Sequence, residues 1–374
     1  MDLRLSCHQR ELRAEAEAFC AGLRPLLEAD PAWHRQGLLS DGDSRAVHRA
    51  LGEAGWIGLS WPVELGGRGL TVLDATLVEE VFGYHWLPLS SYLLSYKTIG
   101  LALERFAAPS LRDRLLPAVA RGELVFCQGF SEPEAGSDLA SLRTRAVRAG
   151  DRYVVDGHKI WTSSASLADW IYLAARTDPG EPRHRGISVF VAAMDTPGID
   201  VRSFPTLGGG TLNEVFLDGV EVPADQLVGE ENGGWAVLMH TLDFERITAE
   251  KLGGIAWVLD RLEERVGPSA RLALLRGELD AARLLSFRAA DVLDRGEPGS
   301  VTSAMAKLAG ARLAQRVGDA AVDLLGLDGL VEGPGTDVVG RAAGLYRASA
   351  GSTVSGGAAE IQQLVIARRG LGLR

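Results

Sequence analysis

The sequence predicts a mainly α-helical chain with a central β domain, and three observations predict it. Up to about residue 122, Ala, Leu, Arg and Glu recur with mixed helical spacing, broken by the loop SWPVELGGRGL at 60–70. After Leu124 the texture changes to short runs rich in Val, Ile, Phe and Tyr between turn residues: RYVVDGHKIWTSS, ADWIYLAARTD, GISVFVAAM and NEVFLDGVEVP. From Gly233 helical periodicity returns in four stretches, 234–265, 270–295, 301–325 and 359–368, whose lengths suit a bundle. The expected division is an N-terminal all-helical domain over 1–122, a central β domain over 123–229 and a C-terminal four-helix bundle domain over 230–374.

Within the β segment, Asp156-Gly157 and Asp218-Gly219 stand between apolar runs, the signal for tight two-residue hairpins. The order helical, β, helical contains no βαβ alternation, which argues against a doubly wound nucleotide fold despite 45 glycines. The 374 residues, 46% of them hydrophobic, suffice for a sizeable core. With 49 acidic residues against 39 basic, the formal charge of −10 gives no electrostatic reason to expect nucleic acid or an anionic membrane as a partner. Cys7, Cys20 and Cys127 form no CxxC pair, which argues against a disulfide framework or a structural zinc and for a reducing, cytoplasmic compartment. The N-terminal MDLRLSCHQRELRAEAEAF lacks the apolar centre of a signal peptide, and no run reaches membrane-spanning length; a soluble, unexported protein is expected.

One residue breaks the helical pattern. Counted at about 3.6 residues per turn, Leu238, Leu242, Glu245, Ala249, Leu252 and Ala256 share one stripe, so a carboxylate sits in an apolar face. The positions three and four residues away are Thr241, Leu242, Thr248 and Ala249, none of them a cation. Asp243 and Glu250 fall on the expected polar edge. Two readings of Glu245 stay open at this point: an acid paired through tertiary structure, as most buried acids are, or a functional carboxylate.

Two loops could hold a ligand. FCQGFSEPEAGSD, 126–138, can lay backbone N–H groups and Ser hydroxyls against a flat polar ring or a pyrophosphate, although any polar loop looks similar. HKIWTSSAS places Trp161 before Thr162, Ser163 and Ser164, an indole beside hydroxyls that could wall a heteroaromatic cofactor; taken alone, the residues favour a core Trp followed by a turn.

Together these segments resemble the acyl-CoA dehydrogenase family over nearly the whole chain. The resemblance is carried by WPVELGGRG, CQGFSEPEAGSDLASLRTRA, VDGHKIWTSSASLADWIYLAART, NEVFLDGVEVPADQLVGEENGGW, LDFER and GGAAEIQQLVIARRGLGL, in that order. It implies an N-terminal helical domain, a middle β-barrel or sandwich and a four-helix bundle, with FAD between the β domain and the bundle and across a subunit boundary. By resemblance, Gln128, Phe130 and Ser131 line the isoalloxazine, Trp161, Thr162 and Ser163 cover its other side, and Ser137 reaches FAD phosphate or the pantetheine arm. Ser137, Asp243 and Arg246 are the implied substrate-binding positions.

The implied reaction removes an α-proton from an acyl thioester while the β-hydrogen leaves as hydride to the flavin, which needs a polarised carbonyl and a nearby carboxylate. Most members of the family take that carboxylate from the loop before the last helix, where this chain has Gly356; Glu360, four residues on, matches a flavin-contacting position instead. A minority, including isovaleryl-CoA and long-chain acyl-CoA dehydrogenases, place it immediately before the arginine that Arg246 matches. That position is Glu245, expected to be the base in a dry pocket.

The chain departs from the family pattern in three places. The usual Arg-x-x-Phe-Gly stretch, whose arginine reaches a neighbour's FAD pyrophosphate, reads EERVGPSARLALL, leaving Arg265 as the expected substitute and Arg271 as the alternative. The glycine-rich adenine segment reads DLLGLDGLV, with Leu327 where glycine is usual, and Glu134 replaces a common Gly in an expected exposed loop. The expected function is α,β-dehydrogenation of an acyl thioester on coenzyme A or a carrier protein, with an electron-transferring flavoprotein as acceptor, in a homodimer or homotetramer. A flavin monooxygenase or oxidase on the same fold, and a partner subunit of a hetero-oligomer, are the alternatives.

Overall fold

The computed structural model describes residues 4–30, 33–34, 44–180, 182–331 and 337–373. Helix α1 (Cys7–Ala29) begins at a capping box: Ser6 Oγ accepts the Gln9 N–H, and the Gln9 side chain accepts the Ser6 N–H. Its buried Leu12, Ala16, Cys20, Leu23 and Leu27 form one helical stripe. α2 (Arg45–Glu53) is capped by Ser44, and α3 (Val72–Tyr84) by the reciprocal pair Thr71 and Asp74. A short α4 (Ser90–Tyr92) runs into a π-helical turn, Leu93–Thr98, and on into α5 (Ile99–Phe106); α6 (Pro109–Ala120) carries Pro in its first turn.

The β segment forms one hydrogen-bonded system of eight strands: β1 (Phe126–Gly129), β2 (Arg145–Ala149), β3 (Arg152–Lys159), β4 (Trp170–Arg176), β5 (Ile187–Ala193), β6 (Ile199–Pro205), β7 (Thr211–Pro223) and β8 (Leu227–Val228). Their order is β6-β7-β3-β2-β4-β5-β8, with β1 added parallel to β4. Strand β4 is buried on both faces, and its period of two divides it between two cores. Tyr172 and Ala174 join the helical core, while Ile171, Leu173 and Ala175 join the core of the β domain. On β1, Phe126 faces the helical core and Cys127 the β core, so the alternation carries Gln128 to the helical side.

Neither Asp-Gly pair makes a hairpin turn; both lie inside strands, and they face each other. Between the pairs Val155–Val220 and Gly157–Leu217, Asp156 stands alone against Asp218 and Gly219, a β-bulge in which Gly219 takes φ +61° and its N–H reaches Asp156 Oδ1 at 2.8 Å. The turn between β2 and β3 is made instead by Gly150 and Asp151.

The third segment consists of α7 (Gly234–Glu245), α8 (Ala249–Val266), α9 (Ala270–Asp294), α10 (Ser300–Leu325), α11 (Val338–Ser352) and α12 (Ala359–Val365), which passes into a π-helical turn, Ile366–Gly370. Two expectations are corrected. The stretch 234–265 is not one helix, for it breaks at residues 246–248. The bundle is built from α8, α9, α10 and α11, and α11 gives little sequence signal because its Ala, Gly and Ser side chains blur the periodicity.

Helix α8 also crosses α3 at very close approach: a Cβ at Gly83 would overlap Glu250 O, and one at Gly253 would overlap Glu80 O. That crossing turns Glu250 into the interior, at 3% exposure rather than on the expected polar edge, where it meets Lys97. Cys7 is exposed and Cys20 and Cys127 are buried. No described helix is long and apolar enough to cross a membrane.

His48 on α2 is buried, with Nε2 3.2 Å from the Leu124 carbonyl. Burial pushes its imidazole down from 6.5 to about 4, against the upward pull of Leu124 O and Asp169. Because the folded value is the lower one, the stabilisation is present above the unfolded value and is lost as pH falls towards about 4; it amounts to about 3 kcal/mol. Chemical denaturation between about pH 7 and pH 4.5 should show a larger loss in the wild type than in His48→Gln. Equal losses would contradict neutral burial.

Candidate active site

Glu245 is the last residue of α7, and the N–H of the capping residue Arg246 bonds to Leu242 O. An acid at a helix C-terminus opposes the macrodipole, so helix stability does not account for it. The carboxylate is half-buried, not fully dry as the apolar stripe implied, because that stripe stops with the helix. Gln128 on β1 donates from Nε2 to Glu245 Oε2 at 3.3 Å. Arg246 turns away, with NH1 3.4 Å from Asp243 Oδ1 and Nε 3.4 Å from the Gly356 carbonyl. Among the described residues no cation lies within ion-pair distance of Glu245, and its tertiary partner is the neutral Gln128 amide. Asp243 is half-buried; burial raises its carboxyl, opposed by Arg246 and Arg369.

Opposite the acid lies Gly356, in the loop between α11 and α12. A Cβ built there would be 3.4 Å from Glu245 Oε1, so the helix end and the loop converge on one point. Gly356 and Gly357 have φ of +64° and +99°, in the left-handed region, and a Cβ at Gly357 would overlap the Gln362 amide. Lys307 on α10 donates to the carbonyl of Ser352, the last residue of α11, at 2.7 Å, tethering the start of this loop. Burial pushes the Lys307 ammonium down to about 8, helped by Lys251 and opposed by Glu245. The expectations from sequence omit Lys307, although Ala304, Lys307, Ala311 and Ala314 on α10 form the same kind of interrupted stripe as the one that singled out Glu245.

The two ligand loops are held together by a buried ion pair. Lys159, at the end of β3, is fully buried and donates to Glu132 Oε1 at 2.7 Å and to Phe130 O at 3.1 Å. Glu132 also accepts the N–H groups of Arg143 (2.6 Å) and Thr144 (2.8 Å), and Ile160 N–H reaches Ser131 O at 3.0 Å. Burial draws Lys159 down to about 8, and Glu132 pulls it back. Phe130 packs on Tyr172, 5.6 Å between centroids, and the Tyr172 hydroxyl meets Thr241 Oγ1 on α7 at 3.2 Å. Phe130, Ser131, Gln128 and α7 are thereby joined.

Trp161 has φ +60° and is 57% exposed, so it is not a core Trp; its ring meets Phe204 edge-on at 5.4 Å. Strained backbone of this kind collects at ligand-binding segments. Thr162 is pinned by paired bonds with Asn213, N–H to O at 2.9 Å and Nδ2 to Thr162 O at 2.7 Å. Thr162 Oγ1 and Gln128 Oε1 are buried without a protein partner, a hydroxyl that can donate and an amide oxygen that can accept, which together fit the polar edge of a flavin. Ser163 is half-buried, and Ser164 Oγ is 2.9 Å from Ser90 Oγ.

Other expected positions lie apart from this cluster. Ser137 and Glu134 are exposed on the 132–138 loop, and Glu360 is exposed in the first turn of α12. Arg265, at the far end of α8, is exposed and paired with Asp328 Oδ2 at 2.9 Å; Arg271 pairs with Asp323 Oδ2 at 2.9 Å. Both arginines are thus engaged within their own chain, and Leu327, between the two acids, is 85% exposed. The described residues contain no group of three or more His, Cys, Asp or Glu side chains able to hold a metal.

The chain matches the family models described as acyl-CoA dehydrogenase, N-terminal domain, over 6–123, middle domain over 127–220, and C-terminal domain over 232–371. It is 36% identical to acyl-CoA dehydrogenase FadE34 of Mycobacterium tuberculosis over 95% of its own length, but spans only 49% of that protein. It is 33% identical to acyl-CoA dehydrogenase IpdE1 of the same organism, covering 88% of each chain. Among solved structures, the Tcur3481-Tcur3483 steroid ACAD matches with a TM-score of 0.90 at 33% identity, covering 100% of both chains.

Removing one partner of the Lys159–Glu132 pair strands a buried charge. Lys159→Met should cost about 3–5 kcal/mol in chemical denaturation. A cost under about 1 kcal/mol, the value of an exposed pair, would show that the loops are held by other means.

Proposed function

The chain belongs to the acyl-CoA dehydrogenase family, and on that premise we propose that it is an FAD-dependent α,β-dehydrogenase of an acyl thioester with Glu245 as the base. What carries this is an acid without a cation partner, held through Oε2 by Gln128, with Oε1 turned to the point where Gly356 has no side chain. A thioester α-hydrogen is weakly acidic, so the carboxylate must stand close while the carbonyl is polarised by hydrogen bonds. Asp243 and the Gly356 carbonyl keep Arg246 off the acid, leaving it able to take a proton. Bound FAD would supply the acceptor for the β-hydrogen, which leaves as hydride. Gln128, Phe130, Ser131, Trp161, Thr162 and Ser163 would line it, Thr162 Oγ1 and Gln128 Oε1 meeting its polar edge. Ser137 would serve the phosphate or pantetheine end, and Arg246 and Asp243 the rim of the substrate cleft.

The acyl group we propose is bulky, on coenzyme A or a carrier protein, in keeping with a relative whose name records a steroid ACAD. An electron-transferring flavoprotein in the cytoplasm would reoxidise the flavin. We further propose that the assembly pairs this chain with a different subunit. Arg265 and Arg271 are engaged by Asp328 and Asp323 rather than extended towards a neighbour, and Leu327, Leu330 and Val331 are exposed beside them. A partner with an intact arginine and glycine-rich segment would complete the flavin site of this chain.

Two measurements check these readings. In an anaerobic screen of acyl thioesters, the substrate should bleach the oxidised flavin, and Glu245→Gln should slow bleaching by about 10²–10⁴-fold; a variant as fast as wild type would remove Glu245 from the role. Purified alone, the chain should carry well under one FAD per polypeptide, rising when the partner subunit is co-expressed. One firmly held FAD per chain without a partner would count against the mixed assembly.

A further inference from the structure

Away from the cleft, a buried charge cluster bears on the backbone that carries Glu245. Lys97 lies in the π-helical turn Leu93–Thr98 and is 4% exposed. Its ammonium donates to Glu79 Oε2 on α3 and to the Ile247 carbonyl, each at 2.5 Å, and lies 3.8 Å from Glu250 Oε2 on α8. Ile247 is the middle residue of the break between α7 and α8, two residues beyond Glu245. A carbonyl in such a break has left the helical ladder, and inside a core it needs another donor. Lys97 is that donor, and Glu79 holds the lysine in place.

The cluster is closed to solvent. Glu79 and Glu250 are both buried, Glu250 Oε2 has no hydrogen bond, and the Tyr92 hydroxyl beside them is buried without one. Tyr96 completes the wall, its hydroxyl 3.1 Å from Ser60 Oγ. Burial pushes Glu79 up to about 7, with Lys97 pulling down and Glu250 pushing up. So costly an arrangement is not needed for packing, since apolar side chains of similar volume would fill the space as well.

We propose that Lys97 is a positioning residue for proton abstraction: by fixing the Ile247 carbonyl to Glu79, it sets the angle of the α7–α8 break and so the direction in which Glu245 leaves the helix end. This rests on Glu245 being the base. Lys97 touches neither substrate nor cofactor; it acts through the backbone of residues 246–248. Misplacing a reacting group by about 1 Å can cost about 100-fold in rate, so the tie is worth conserving energetically even though it lies outside the cleft.

The test is the limiting rate of anaerobic flavin bleaching in the holoenzyme, measured together with the half-saturating thioester concentration and the FAD content. Lys97→Met removes the tie and leaves Glu79 unpaired; the double variant Glu79→Gln/Lys97→Met removes the tie and also the stranded charge, so it tests the same point if the single variant folds poorly. Both should bleach about 10- to 100-fold more slowly at saturation, with half-saturation and FAD content within about twofold of wild type and a larger isotope effect from deuterium at the substrate α-carbon. A double variant that bleaches at the wild-type rate per bound flavin overturns the proposal, as does one that loses only flavin or thioester binding, the mark of a general structural role. Glu245→Gln, run in parallel, separates the two readings: if it bleaches at the wild-type rate the base itself is wrong, whereas if it is inactive and the Lys97 variants are fast, only the positioning role falls.

Discussion

A three-residue interruption, 246–248, is the constraint on which the site depends. An uninterrupted helix would carry Glu245 along the bundle axis, in the middle of an apolar stripe. The break makes it a helix end instead, turned to a hydrogen bond with Gln128 of the β domain and to the empty side of Gly356. Packing contacts flank the break on both sides. Helix α8 is pressed onto α3 where Gly83 and Gly253 let the backbones meet, while α7 is held to the sheet through Thr241 and Tyr172. The two helices flanking the break are thus held by different partners, α7 by the sheet and α8 by α3.

Buried lysines secure the segments that meet there. Lys97 takes the carbonyl of the break, Lys307 the last carbonyl of α11 before the Gly356 loop, and Lys159 the Phe130 carbonyl in the loop expected to face the flavin. Each is a backbone carbonyl at or just beyond the end of a regular element. A buried ammonium is expensive, and all three hold position by local geometry more than they add net stability. Two of them, Lys97 and Lys159, have a carboxylate as counter-charge, which fits an arrangement that must be both rigid and dry.

How much of this was legible in the sequence depends on how far each signal reaches. Glu245 stood out because an acid in an apolar stripe is a local anomaly, and the glycine at position 356 stood out because the family pattern has an acid there. The helix break between them did not, since nothing in LDFERITAEK interrupts the periodicity, and the crossing with α3 just beyond the break joins residues about 165 apart in the chain by the numbering of Gly83 and Glu250. The Asp-Gly pairs gave a correct signal for a glycine-dependent backbone and the wrong structure, a shared bulge in place of two hairpins, because the two pairs face each other only once the strands are in register. Glu250 was misplaced because it lies at that crossing, which local periodicity does not reveal. Helix α11 left too weak a trace in its small residues to be found at all. Arg265 could be proposed from its position relative to the family stretch, but its partner, Asp328, lies in a turn that only the packed bundle brings near.

The central claim is that the end of α7 and the loop at Gly356 deliver a carboxylate to the same point. It is tested most directly by moving the acid: the rate of anaerobic flavin bleaching by the substrate thioester is compared in Glu245→Gly and in Glu245→Gly/Gly356→Glu, each at matched FAD content. The relocated acid should recover at least about tenfold of the lost rate, less than wild type because a side chain at the left-handed Gly356 is strained by about 1–2 kcal/mol. A double variant that holds FAD and yet bleaches no faster than Glu245→Gly alone would contradict the claim.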